Sequence, residues 1–159
     1  MKPRRLRLGL RGCVNSLLSS VNATLNNSIG YVSNADKFGR PDVWEAADIG
    51  GTGDCKAYSL GKQMRLSAAG FETSLCTVVT PEGEGHCVLC VHDGEWWVLD
   101  NLTDDIKRPT ETPYKWYLMQ DGNSWRYVWW WKIFGKTFRI LGFKTKAPEG
   151  WADYLTRSK

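Results

Sequence analysis

The stretch GTGDCKAYSLGKQMRLSAAG, residues 51–70, places Cys55 behind a glycine-rich turn and at the start of a helical pattern. Thr52 or Asp54 is positioned to cap the free amides of the first helical turn. Spacings of three and four predict a helix with one apolar stripe, made of Ala57, Leu60, Met64 and Ala68. Gly70 then stands where a left-handed glycine commonly ends a helix. A thiol at a helix start feels the positive end of the helix dipole, which favours the thiolate. Cys55 is therefore a candidate nucleophile, and a small buried residue is the alternative interpretation.

Length and composition predict one globular domain spanning residues 1–159. The net charge of +4 is mild and does not call for a nucleic-acid partner. Five cysteines, an odd number without the spacing of a disulfide framework, predict free thiols. The basic start, residues 1–12, is predicted to be extended or mobile. Because arginines interrupt it, it lacks the apolar core of a signal peptide, and we expect a cytoplasmic protein with no membrane span.

The periodicity of the remaining chain predicts an N-terminal helix followed by strands. Apolar residues fall on one face of a helix over residues 13–29, whose other face carries Asn15, Ser19, Asn22 and Asn26. Residues 30–53 are predicted to be a loop with one helical turn at 44–47, placed to line a substrate cleft. β-Branched and alternating patterns predict three strands, at residues 74–80, 86–91 and 95–100.

The hairpin that carries His86 allows two registers. If Asp93-Gly94 is a two-residue turn, His86 pairs with Asn101, and Asp100 points to the opposite face. If residues 92–94 form a three-residue loop, His86 lies directly opposite Asp100. Opposed residues have Cβ atoms ~5 Å apart, within reach of an imidazole–carboxylate hydrogen bond. Glycine fits both turns, so the residues alone leave the register open.

Cysteine, histidine and aspartate together make a complete nucleophilic set. Cys55 attacks an acyl carbon, His86 takes and returns the proton, and Asp100 orients the imidazole and stabilises its cation. Taken singly, His86 is also consistent with a structural histidine and Asp100 with a turn residue at a strand end.

Three segments in order resemble a known family: residues 14–70, EGHCVLCV at 84–91 and WWVLDNLT at 96–103. They are similar to the bacterial transglutaminase-like cysteine peptidases. The resemblance implies a papain/transglutaminase-like α+β fold, in which N-terminal helices, one carrying the nucleophile at its start, pack on an antiparallel sheet. It also implies the triad of Cys55, His86 and Asp100, hydrolysis of a peptide bond in a protein substrate, and the three-residue loop.

The calcium site of that family is where this sequence departs from the pattern. The family commonly has two acids after the cysteine, which contribute to a calcium site with the preceding aspartate. Here Asp54 is present, but Lys56 and Ala57 occupy the acidic positions. Because an ammonium opposes a dication, the sequence predicts a chain without a cofactor.

The oxyanion of the tetrahedral intermediate needs donors, and the backbone N–H of Cys55 is the first candidate. Trp44 is a second candidate, by analogy with transglutaminase-like enzymes, and Asp54 is a further candidate for substrate contact.

Other functions are compatible with parts of the sequence. Zinc binding is suggested by Cys76, His86, Cys87, Cys90 and His92, but residues three apart on a strand face opposite ways, which disfavours it. The same triad supports acyl transfer or hydrolysis of other amides. The segment 126–159, tryptophan-rich and basic at its start, lies outside the resemblance and is predicted to be a strand pair or a partner-binding surface on a non-catalytic scaffold.

Overall fold

The computed structural model of the chain describes residues 14–128 and 144–158. The basic residues 1–12 and residues 129–143 of the tryptophan-rich segment lie outside the described residues, and so do the predictions made for them. Within the described part, no helix is long and apolar enough to cross a membrane.

The described residues form an α+β fold. Its helices are α1 (Ser16–Ser28), α2 (Asn34–Phe38), α3 (Cys55–Ala68) and α4 (Trp151–Arg157). Its strands are β1 (Gly30–Tyr31), β2 (Thr52–Gly53), β3 (Glu72–Val79), β4 (Gly85–His92), β5 (Trp96–Asp100), β6 (Thr103–Lys107), β7 (Lys115–Asp121), β8 (Ser124–Tyr127) and β9 (Lys144–Thr145).

The core is an antiparallel sheet with the strand order β6-β5-β4-β3-β7-β8-β9. Helices α1 and α3 pack against each other, and α3 crosses β3 and β4 while α1 reaches β6. Alternate strand residues face the helices, among them Leu75, Leu89 and Leu99, which are fully buried. Residues of the other parity form a second apolar cluster on the opposite face. The prediction of N-terminal helices packed on an antiparallel sheet is confirmed.

Helix α3 begins and ends as its sequence predicts. The Asp54 carboxylate accepts the amides of Lys56 and Ala57 at 2.9 and 3.3 Å. At the other end Gly70 has φ +88°, and its amide donates to the carbonyl of Ser67 at 2.9 Å. This geometry is that of a glycine-terminated helix.

The buried face of α3 differs from the predicted stripe. Leu60 is fully buried, but Met64 is 61% exposed, and Lys62 and Leu66 are buried instead. The helix is covered on several sides, because α1, the sheet and the preceding loop all pack on it. A single stripe therefore does not describe its contacts.

The loop between α1 and α3 holds its helix at a different place from the predicted turn at residues 44–47. Helix α2 starts where the Ser33 hydroxyl accepts the amide of Asp36 at 3.1 Å, and it ends at Gly39, with φ +71°. Trp44 is instead buried against two other tryptophans, Trp125 and Trp151. Tertiary packing outweighs the local helical preference there.

The β4–β5 hairpin adopts neither of the two predicted registers. His92 pairs with Trp96 and Leu89 with Leu99, so the loop is Asp93-Gly94-Glu95. The Asp93 amide donates to the carbonyl of Glu95 at 3.0 Å, and Gly94 has φ +80°. The favoured three-residue loop is therefore correct in length and wrong by one residue in position.

Candidate active site

A cavity of about 400 Å³ lies between the start of α3, the loop before it and strands β3 and β4. Cys55 and His86 both line it. Pro41, Asp42 and Trp44 contribute the loop side, so the structure agrees with the prediction that this loop lines a cleft.

Cys55 is the first residue of α3 and is partly exposed. The turn before it is tight, since a Cβ added at Gly53 would lie 2.2 Å from the Cβ of Ala57. Gly53 also belongs to β2, where it pairs with Tyr31 of β1, and its carbonyl accepts the amide of Val32 at 3.0 Å. The backbone that leads into Cys55 is therefore fixed by Ala57 of α3 and by the pairing of β2 with β1.

Ser59 links the helix of Cys55 to the strand of His86. Its hydroxyl lies one turn after the cysteine, is buried, and donates to the carbonyl of Cys87 at 3.1 Å. Because Cys87 directly follows His86, this bond fixes the position of the α3 start, and so of Cys55, relative to His86 on β4.

His86 and Asp100 are in direct contact. The imidazole Nε2 lies 2.8 Å from Asp100 Oδ1, with both side chains buried. The observed register keeps both residues on one face of the sheet but makes the contact diagonal, since Leu89 opposes Leu99. With Nε2 directed to the carboxylate, Nδ1 is the ring nitrogen left for the hydrogen bond with Cys55.

Asp100 is held by partners that sequence reasoning missed. Its Oδ1 also accepts the amide of Leu102 at 3.0 Å, and its Oδ2 accepts the hydroxyl of Tyr114. The ring of Tyr114 packs edge-on against His86, with centroids 5.7 Å apart. Tyr114 immediately precedes β7, and no local motif links it to the other two residues.

These contacts perturb both ionisable groups. Burial lowers the pKa of His86, but hydrogen bonding to Asp100 and to Cys55 raises it by more, and the pKa reaches about 9. Burial raises the pKa of Asp100, and the hydrogen bonds from His86, Tyr114 and the Leu102 amide outweigh it, so that this pKa lies below its ordinary value. The pair is therefore an imidazolium–carboxylate pair at neutral pH.

Of the further candidates for oxyanion or substrate contact, Trp44 lines the same cavity and Asp54 directly precedes Cys55. The Trp44 indole N–H donates to the carbonyl of Glu149 at 2.9 Å, so that donor is already engaged. Asp54 caps α3 and forms an ion pair with Lys56, with Oδ2 and Nζ 2.7 Å apart.

The cysteines considered for zinc divide between the two faces of the sheet. Cys87 packs on the helix side, whereas Cys76 and Cys90 belong to the opposite cluster, with their sulfurs 3.3 Å apart. Burial raises the pKa of Cys87 well above its ordinary value, which keeps it a neutral thiol.

Solved structures of the same fold come from Legionella pneumophila LapG. The calcium-bound form is 21% identical, covers 89% of this chain and 78% of its own, and superposes with a TM-score of 0.63. The EGTA-treated form is 20% identical over 89% of this chain and 77% of its own, with a TM-score of 0.66. A third LapG structure is 21% identical over 68% and 64% of the two chains, with a TM-score of 0.57. The likeness establishes the transglutaminase-like fold.

The expectation of a chain without a cofactor is wrong in the light of these structures. LapG, which shares this fold, is calcium-bound in one structure and EGTA-treated in another. That expectation was based on Lys56 and Ala57, which stand where the family commonly has two acids. Within residues 14–128 and 144–158, no group of three or more His, Cys, Asp or Glu side chains is arranged to hold a metal ion, so we assign no ligands.

Curated proteins provide no match to the chain. A family model does: the bacterial transglutaminase-like cysteine proteinases match residues 5–137, well over half of the sequence. This match covers α1, the loop, α3 and strands β3 to β8, including Cys55, His86 and Asp100. The chain belongs to the bacterial transglutaminase-like cysteine proteinase family.

Proposed function

We propose that this peptidase hydrolyses a peptide bond in a protein substrate through an acyl-enzyme on Cys55. His86 is the general acid and base, and Asp100 holds the imidazole and stabilises its cation. The observation that carries the proposal is the buried His86–Asp100 pair, at 2.8 Å, whose histidine lines the same cavity as Cys55.

Acylation starts from the Cys55 thiolate beside the His86 imidazolium. The sulfur forms a bond to the carbonyl carbon, and the carbonyl electron pair moves to the oxygen. The backbone N–H of Cys55 stabilises that oxyanion, since the Asp54 cap uses the amides of Lys56 and Ala57 instead. As the intermediate collapses, the C–N bond breaks, and the proton on His86 Nδ1 passes to the departing amine.

Deacylation reverses the role of His86. Neutral Nδ1 takes a proton from water while the water oxygen bonds to the acyl carbon. Collapse of the second intermediate breaks the C–S bond, which releases the acid and restores the thiolate–imidazolium pair. Asp100 stays ionised throughout, since its hydrogen bonds favour the carboxylate.

The cavity supports an extended peptide as the substrate. Its walls are mostly apolar, with Trp44, Val79 and Tyr117 among the lining residues. Tyr117 is 53% exposed, so it offers a ring to a bound side chain at the cleft edge.

Calcium is the candidate cofactor that the LapG structures bring to this proposal. The oxygens nearest the start of α3 do not fit it as they stand. Asp54 Oδ2 and the carbonyl of Pro41 both contact the Lys56 ammonium, at 2.7 and 3.2 Å. We therefore derive no step through a metal, and calcium is to be tested by titration.

Incubation with a mixed peptide library, with and without a primary amine, tests the proposal. We expect new carboxyl ends that appear with wild type and not with Cys55→Ala. Products that carry the amine in place of water would assign acyl transfer instead of hydrolysis. A wild-type chain that yields neither product, with and without calcium, would contradict the proposal.

A further inference from the structure

Lys62 is a fully buried lysine on the same helix as Cys55, two turns further along. Its ammonium lies 2.7 Å from Asn22 Oδ1 and 2.7 Å from Asn26 Oδ1, both on α1. A buried ammonium is costly unless it is well paired. Burial lowers the pKa of Lys62 to about 7, and the negative charges of Asp100 and Asp104 act against that fall.

The lysine fixes how the two amides are oriented. An ammonium only donates hydrogen bonds, so each asparagine must turn its oxygen towards Lys62 and its NH₂ group away. The Asn26 NH₂ group donates to the carbonyl of Asp100 at 2.9 Å, to that of Thr103 at 3.1 Å and to Asp104 Oδ1 at 2.9 Å. The Asn22 NH₂ group donates to the carbonyls of Thr103 and Asp104 at 3.1 and 3.2 Å.

These bonds end at the turn that presents the catalytic carboxylate. Asp100 is the last residue of β5, and its main chain is bound by Asn26 while its side chain is bound by His86. Lys62 therefore connects the helix that carries Cys55 to the strand end that carries Asp100.

We propose that Lys62, with Asn22 and Asn26, forms a positioning network that holds Asp100, and through it His86, in register with Cys55. The inference rests on the proposed function, because it concerns the alignment of that triad. Lys62 touches no reacting atom. It acts through the two asparagines.

Addition of phenyl vinyl sulfone to Cys55 reads this alignment without a known substrate. The sulfur bonds to the terminal vinyl carbon, and the resulting carbanion takes the proton from His86. Reaction with iodoacetamide needs only the thiolate and serves as the comparison. Mass spectrometry of the peptide that carries Cys55 separates it from the buried thiols.

The test compares Lys62→Met with Gln63→Met, a control on the same helix that loses only its bond to Gln120. We expect Lys62→Met to react with the vinyl sulfone about 10-fold more slowly or worse, as for a misplaced catalytic group. The loss with iodoacetamide should be smaller. In Lys62→Met, the pH at which the vinyl-sulfone rate falls on its alkaline side should lie below 9. In wild type that pH is set by the pKa of His86, which the hydrogen bonds with Asp100 and Cys55 raise to about 9. Gln63→Met should match wild type.

Asn26→Ala provides a second variant if Lys62→Met does not fold, since Asn26 is only partly buried. Its control is Asn27→Ala, which bonds Ala23 and Asp104 but neither Lys62 nor Asp100. Suppose that labelling of wild type depends on His86. Folded Lys62→Met and Asn26→Ala proteins that react as fast as their controls would then overturn the positioning network and leave the triad intact. Wild type that labels independently of His86 would overturn the triad, and the network with it.

Discussion

Replacing Tyr114 by phenylalanine removes one hydrogen bond from the carboxylate of Asp100 and little else. The phenol donates to Oδ2, whereas Oδ1 keeps the imidazole and the amide of Leu102. The Asp100 side chain is only 4% exposed, so water cannot readily replace the lost donor. Hydrogen bonds to a charged group are worth about 1.5–3 kcal/mol. We expect the free energy of unfolding to fall by about 2 kcal/mol at pH 7, or ~4–8 °C in Tm for a chain of this size.

The loss should depend on pH with a definite sign. The native-state pKa of Asp100 lies below its ordinary value, so its stabilising contribution is present above the ordinary pKa of 3.8 and is lost as pH falls through the native value. The difference between Tyr114→Phe and wild type should therefore be full at pH 7 and should shrink towards pH 3.

Urea unfolding followed by tryptophan fluorescence at the two pH values measures this. Tyr127→Phe, at an exposed tyrosine of β8, is the matched control and should be neutral. An equal loss at both pH values would show that packing of the ring, and not its bond to the carboxylate, is responsible. No loss at pH 7 would refute the role given to Tyr114.

Three more predictions concern the site and its support. Because the pKa of His86 is raised to about 9, its imidazolium persists through neutral pH, and the rate of vinyl-sulfone addition should fall on an alkaline limb near pH 9; a limb near 6.5 would contradict the hydrogen bonding described. Lys56→Glu places an acid beside Asp54, and it should bind calcium ~10-fold more tightly than wild type by calorimetry, whereas unchanged affinity would exclude this end of the helix as a calcium site. Gly61→Ala should destabilise by ~2 kcal/mol or more in urea, because its Cβ would lie 2.0 Å from the carbonyl oxygen of Ala47; a gain of ~1 kcal/mol, as at an open helical site, would refute that contact.

Local signals made the start of α3 predictable. Asp54 caps the helix, Cys55 opens it and Gly70 ends it in the left-handed conformation, as the residues predict. Each of these outcomes depends on neighbours within a few positions, and short-range hydrogen bonds decide it.

Features that depend on distant contacts were not predictable in the same way. Glu95 belongs to the hairpin loop, where Arg108 binds its carboxylate at 2.5 and 3.2 Å from 13 residues away. The glycine is compatible with a loop at residues 92–94 or at 93–95, so the local sequence does not decide between them. The Arg108–Glu95 ion pair forms in the observed register, with Glu95 in the loop. Moving the loop by one residue shifts the paired partners by two positions. His86 and Asp100 still meet, because a shift of two positions keeps both side chains on the same face of the sheet.

Polar residues of α1 show the same limit. A helix face rich in asparagine is usually exposed to solvent, yet Asn22 is fully buried and binds Lys62. Tyr114 likewise reaches Asp100 only after the sheet has formed. Sequence periodicity reports apolar burial and is silent about polar pairs between elements.

If His86 activates Cys55, the rate of phenyl vinyl sulfone addition at pH 7 depends on the imidazole. Wild type should form a single adduct on Cys55, Cys55→Ala should form none there, and His86→Ala should react about 100-fold more slowly or worse. Equal rates for wild type and a folded His86→Ala protein would show that His86 does not activate Cys55.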